Sequence, residues 1–188
     1  MEHLDDWNKP ANHDNALLES FFRETETKTA FAHAKRVILR GKTTEVIEQI
    51  PDGELDFAYI DADHTLKGIA IDLIRVYPKL RPGGFLGGDD FTGSIWVHGP
   101  QFEPTLVFPF AVHFAEAVGA TIYALPFGQF CLKKDSDGRF AFIDLTGKYR
   151  DVGLRNQFTA ESFLKMTISR RFPRLTHVIR RTTHWFFG

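Results

Sequence analysis

Residues 55–91 read LDFAYIDADHTLKGIAIDLIRVYPKLRPGGFLGGDDF, and the fold class follows from how that segment is parsed. Phe57, Ala58, Tyr59 and Ile60 form a short apolar run that stops at Asp61, as a buried parallel strand does where its C-terminal end opens into a site. The polar loop Asp61-Ala62-Asp63-His64 follows. From Leu66 the apolar positions Ile69, Leu73, Ile74 and Tyr77 recur at helical spacing until Pro78 and Pro82-Gly83 break the period. Gly84 to Gly88 then reads as a second, glycine-rich strand closing on Asp89 and Asp90. Two parallel strands joined by one crossover helix, right-handed by rule, bring acidic side chains to the same edge of a sheet, and ligands of open α/β sheets bind at that edge.

The segments YIDADH (59–64) and LRPGGFLGGDDF (80–91) together resemble the class I S-adenosylmethionine-dependent methyltransferases of the small-molecule O-methyltransferase type. The resemblance extends from about Leu4 to Lys133. It implies a Rossmann-like α/β methyltransferase sheet, S-adenosylmethionine as cofactor, a small molecule or sugar as acceptor, and Mg²⁺ as a candidate second cofactor. It also assigns roles. Asp61, Asp89 and Asp90 would supply the all-oxygen donors that a hard divalent cation prefers. His64, three positions after Asp61, stands where metal-dependent relatives carry a general base, and an unperturbed imidazole suits that task near neutral pH. Cofactor contacts carried over are Asp5 of MEHLDDW for the ribose hydroxyls, Gly41 and Thr43 of a G-x-[ST] turn for the adenine, and Asp61.

One family feature is missing from the sequence. A glycine-rich G-x-G-x-G turn should precede the Asp5 strand, and no such motif occurs in these 188 residues. The expectation is therefore a sheet incomplete at its N-terminus, in a fragment or a degenerate family member, with weak or no binding of S-adenosylmethionine. The competing reading is a methyltransferase-like binding or assembly module without catalysis. A Mg²⁺-dependent nucleotide or phosphosugar site is disfavoured by the lack of a phosphate-cradling loop.

Composition fits one domain with a sizeable core. The single cysteine, Cys131, has no intrachain disulfide partner and reads as a small buried hydrophobe. No apolar run approaches membrane-span length and the N-terminus lacks a signal-peptide layout, so a cytoplasmic protein is expected. The formal charge of −1 hides an asymmetry: residues 1–147 hold 14 basic and 22 acidic side chains, and residues 148–188 hold 9 and 2. The division expected is a methyltransferase-like α/β domain over 1–147 and a basic, mostly helical extension over 148–188, suited to nucleic acid, an anionic membrane surface, an acidic partner or the acidic body itself. A sheet without its first strand would leave a seam that a second copy could fill, giving a homo-oligomer.

The remaining elements follow from period and punctuation. A helix is expected over 14–34, capped by Asn12 or Asp14 and bent at ETETKT, then a short buried strand at Val37–Leu39, then a helix over 43–50 capped by Thr43 or Thr44. Residues 92–109 read as a long loop, a substrate lid offering Trp96, His98 and Phe102. A helix over 110–118, a strand over 121–125 and an antiparallel edge hairpin of 130–133 with 139–143 complete the domain. Two short helices are expected after Thr159. For the central loop a plainer role stands beside the chemical one: Asp61 or Asp63 caps the following helix, and His64 bonds a neighbouring carboxylate.

Overall fold

The computed structural model describes residues 14–92, 105–135, 137–149 and 160–172. They fall into two compact units that divide after Gly41.

In the first unit, helix α1 (Asn15–Lys28) starts at Asp14, whose carboxylate accepts the Leu17 N–H at 2.8 Å. The ETETKT segment does not bend it before Lys28. Hydroxyls of Thr25 and Thr27 donate back to the Phe21 and Arg23 carbonyls, at 2.8 and 2.9 Å, and Lys28 pairs with Glu24 one turn earlier at 2.6 Å. Back-bonded threonines are tolerated inside a helix, so the break waits for Thr29 and a 3-10 segment, Ala30–Lys35. The expected strand at Val37–Leu39 does not form: no sheet ladder includes these residues, and Val37 is 85% exposed. Three apolar residues specify a strand only when a neighbouring edge takes up their backbone groups.

The second unit carries the sheet. Its elements are the short helix α2 (Thr43–Val46), strand β1 (Leu55–Ile60), helix α3 (Leu66–Val76), strand β2 (Leu80–Gly88), helix α4 (Val107–Val118), and strands β3 (Thr121–Leu125), β4 (Gln129–Lys133) and β5 (Ala141–Asp144). A further helix, α5, spans Ala160–Arg171. Strand order is β1-β2-β4-β3-β5. β1 and β2 are adjacent and parallel, with Ala58 opposite Leu86 and Ile60 opposite Gly88, and α3 joins them, as the central segment predicts. Four strands run one way and β4 runs against them.

The antiparallel hairpin is one strand earlier than expected. β3 and β4 form it through the turn at Pro126–Gly128, while β5 lies parallel to β3 on the outer edge. Both flanks of β4 are already taken, by β2 and β3, so the chain after Lys133 finds its free edge on β3.

Burial is one-sided. Ile69 and Leu73 of α3, with Phe108, Val112 and Ala115 of α4, pack on Leu80, Leu86, Ile122, Phe130 and Leu132 of the sheet. Fully burying side chains of this size stabilises by about 1.5–3 kcal/mol each. The opposite face of β1 is open: Phe57 is 56% and Tyr59 47% exposed, which corrects the reading of 57–60 as a fully buried run. Gly88 is required where β2 pairs with β4 opposite Phe130, since a Cβ there would overlap the Phe130 ring. α4 starts at Val107, three residues before the expected boundary, because Pro109 sits in the first turn, where the missing N–H has no intrahelical partner to lose. Asp5, Trp96, His98, Phe102 and the second tail helix lie outside the described residues. Among the described residues no helix is long and apolar enough to cross a membrane.

Candidate functional site

Parallel register sets the site. Because Ile60 faces Gly88, Asp61 and Asp89 leave the sheet side by side, and the Asp89 N–H extends the ladder by one bond, to the Ile60 carbonyl at 3.2 Å. The chain then turns sharply. Asp89 Oδ1 accepts the Asp90 N–H at 2.9 Å, and Asp90 takes the left-handed conformation at φ +57°. Asp tolerates that region better than most residues, and conformations of this kind gather at functional sites at a cost of about 1–3 kcal/mol. The turn brings Asp90 Oδ2 to 3.5 Å from Nδ1 of His64.

His64 is 3% exposed, in the wall of a small open pocket that Asp61, Asp63, Asp89 and Asp90 line on the polar side and Ile60, Ile69 and Val107 on the apolar side. Its carbonyl accepts the Leu106 N–H at 3.1 Å, tying the loop to the start of α4. The sequence placed no site residue in α4; Val107 fell within an apparent lid.

The loop before α3 is built on nested caps. Asp63 Oδ1 accepts the Thr65 N–H at 3.0 Å, and Thr65 Oγ1, the helix N-cap, accepts the Gly68 N–H at 3.2 Å. Capping therefore falls to Thr65 with Asp63 behind it, and Asp61 stays exposed at the pocket mouth. Gly68 is as small as it must be: a Cβ there would overlap the Asp63 carbonyl oxygen and the root of its side chain.

The edge is electronegative. Partial burial, then the charges of Asp89, Asp61 and Asp90, push the Tyr59 phenol above its ordinary pKa. Tyr59 also accepts a hydrogen bond from Gln129 at 3.0 Å.

Thr43 is not among the residues that line this pocket. Gly41 ends the first unit, and the Thr43 hydroxyl donates to the carboxylate of buried Asp72 at 2.7 Å. The helix cap at this point is Lys42, whose N–H donates to Glu45 at 3.1 Å. Burial raises the Asp72 pKa, partly offset by the Thr43 bond, with the Asp63 charge adding to the rise. A carboxyl whose folded pKa is raised favours the fold below its unfolded pKa and loses that contribution as pH climbs through the folded value. Asp72→Asn keeps an acceptor for Thr43 and carries no charge. Thermal melts should find the variant more stable than wild type at pH 7, with the gap closing as the pH falls through the raised folded pKa of Asp72 toward the ordinary Asp range; a lower melting temperature at pH 7 would show that the ionised carboxylate is favourable.

The expected metal centre does not fit the arrangement. Asp61, Asp89 and Asp90 share the edge, but among the described residues no three Asp, Glu, His or Cys side chains are grouped to hold one ion. Asp89 is turned onto the Asp90 N–H and Asp90 toward His64. Millimolar Mg²⁺ is accordingly expected to leave the melting temperature unchanged, and a rise that Asp89→Asn abolishes would restore the ion.

Residues 3–91 match a family model described as a methyltransferase domain. The match runs through α1, β1, α3 and β2 and ends at Phe91, one residue beyond the Asp89-Asp90 turn. Over these residues the chain is similar to a class I methyltransferase domain. A search of curated proteins gives no match. The mixed α/β sheet with four co-directional strands fits a Rossmann-like methyltransferase sheet, and the pocket lies at its strand ends, the edge at which open α/β sheets bind ligands.

Proposed function

We propose that this methyltransferase domain acts on an oxygen of a small molecule or sugar, with the acceptor hydroxyl meeting His64 in the strand-end pocket. The observation that carries the reading is the buried His64 set against Asp90 in a pocket whose rim is acidic. Methyl transfer to oxygen needs the acceptor to lose a proton as it attacks in line, so orientation and a base are what a protein must supply.

S-Adenosylmethionine, when bound, supplies an electrophilic methyl on a sulfonium. The donor set suits that charge: Asp61, Asp89 and Asp90 make the rim attractive to a cation, and Asp61, exposed at the mouth, is the residue we assign to cofactor binding. Asp90 faces Nδ1 of His64 at 3.5 Å, which favours the tautomer with the proton on that nitrogen. Asp89 holds the turn by receiving the Asp90 N–H. The walls at Ile60, Ile69 and Val107 keep the base out of bulk water.

The test is isothermal titration with S-adenosylmethionine, followed by release of S-adenosylhomocysteine in the presence of phenolic and sugar hydroxyl probes. Saturable binding weaker than low micromolar is expected, because the sequence has no G-x-G-x-G turn for the methionine end. Product release should rise with at least one probe. Absence of saturable heat at millimolar cofactor would overturn the reading.

A further inference from the structure

We propose that Tyr149 is a positioning residue of the strand-end pocket: its hydroxyl donates to the Phe91 carbonyl and so fixes the turn that carries Asp89 and Asp90. The functional half of this inference rests on the methyl-transfer reading of the pocket; the structural half does not.

Asp90 sits in a left-handed conformation that it would leave if the next residue were free to move. Phe91 is held on three sides. Its N–H donates to the Gly128 carbonyl at 2.6 Å, its carbonyl accepts from Tyr149, and its ring is fully buried, with centroids 4.7 Å from Phe108 and 5.3 Å from both Phe130 and Tyr149. The clamp on the residue after Asp90 adds to two local bonds, Asp90 N–H to Asp89 Oδ1 at 2.9 Å and Thr92 N–H to the Asp90 carbonyl at 3.0 Å, in holding the strained turn.

Tyr149 is in turn fixed from β5. The Asp144 carboxylate at that strand's end accepts the Tyr149 N–H at 2.8 Å and both the N–H and hydroxyl of Thr146 at 2.7 Å. Burial opposes ionisation of Asp144, but these donors together hold its carboxyl below the ordinary range, so the acceptor is fully charged at neutral pH. Hydrogen bonds thus run from Asp144 through Tyr149 to Phe91, the chain neighbour of the pocket residue Asp90, and Asp144 and Tyr149 lie beyond the matched 3–91 segment.

The alternative is that Tyr149 only fills the core with its ring. Tyr149→Phe separates the two, because it keeps the ring and removes the hydroxyl. Native-state amide exchange on the full chain should show the Asp90, Phe91 and Thr92 amides exchanging about three- to tenfold faster, the effect of one lost hydrogen bond, while amides of α3 from Ile69 to Leu73 are unchanged. S-Adenosylmethionine binding should weaken in parallel, with the melting temperature lowered by no more than the loss of one hydrogen bond accounts for. Exchange at 90–92 equal to wild type, or acceleration spread evenly through α3 and the sheet, would overturn the positioning role. If wild type itself binds no S-adenosylmethionine, that result counts against the methyl-transfer reading, and the exchange data alone decide the role of Tyr149.

Discussion

Gly68→Ala will destabilise the protein and disorder the site, although helix propensity alone predicts the opposite. Gly68 lies in the first turn of α3, and exchanging glycine for alanine in a helix interior gains about 1 kcal/mol. The new methyl would meet the Asp63 carbonyl oxygen, Cβ and Cγ. None of these is the far end of a flexible chain. Asp63 is further held by the bond from Thr65, and Thr65 by the bond from Gly68 itself, so the loop can retreat only by giving up its caps. Overpacking a tight contact costs about 1–3 kcal/mol, occasionally more, and loss of an N-cap about 1 kcal/mol. The net expectation is a loss of about 1–3 kcal/mol, read as a lowered midpoint in urea, with His64 displaced because it adjoins Asp63. A variant as stable as wild type would show that the loop can retreat with its caps intact.

How much of this was legible in sequence depends on the range of the forces involved. The β1–α3–β2 unit was legible because its period, its Pro-Gly stop and its strand-end aspartates are all local. Val37–Leu39 looked like a strand by the same local signs, yet a strand also needs a ladder partner, which no local pattern supplies. The hairpin was misplaced for a related reason: which edge accepts β5 is settled by β2 having already occupied β4. The exposure of Phe57 and Tyr59 depends on what covers each sheet face, whereas periodicity reports only that a residue is apolar.

That Asp61, His64, Asp89 and Asp90 share one strand-end pocket was legible, but how their side chains are disposed there was not. Sequence alone made Asp89 and Asp90 equivalent. The left-handed turn at Asp90 breaks that equivalence, sending one carboxylate to a backbone amide and the other toward His64. Part of what holds that turn comes from Gly128 and Tyr149, 37 and 58 residues after Phe91, which no motif window would contain.

His64→Gln should separate the chemical role of the imidazole from its packing role. Glutamine approximates its size and keeps hydrogen-bonding atoms, so the pocket wall and the Leu106-to-His64 backbone bond at 3.1 Å are expected to persist. It has no basic nitrogen. If His64 takes the acceptor proton, turnover falls by about 10²–10⁴-fold, the usual contribution of general acid–base catalysis, while S-adenosylmethionine affinity stays within about twofold. Asp90→Asn should act through the same nitrogen: an amide group at the 3.5 Å position can present its NH₂ to Nδ1, favouring the wrong tautomer without removing the ring. Residues that act as a unit give non-additive losses, so the double variant should be no slower than His64→Gln alone. Rates of S-adenosylhomocysteine release for the four proteins, measured with one hydroxyl probe at saturating cofactor, make the comparison. A double variant slower by the product of the two single effects would mean that Asp90 and His64 work separately, and a His64→Gln protein with wild-type turnover would remove the base from the mechanism.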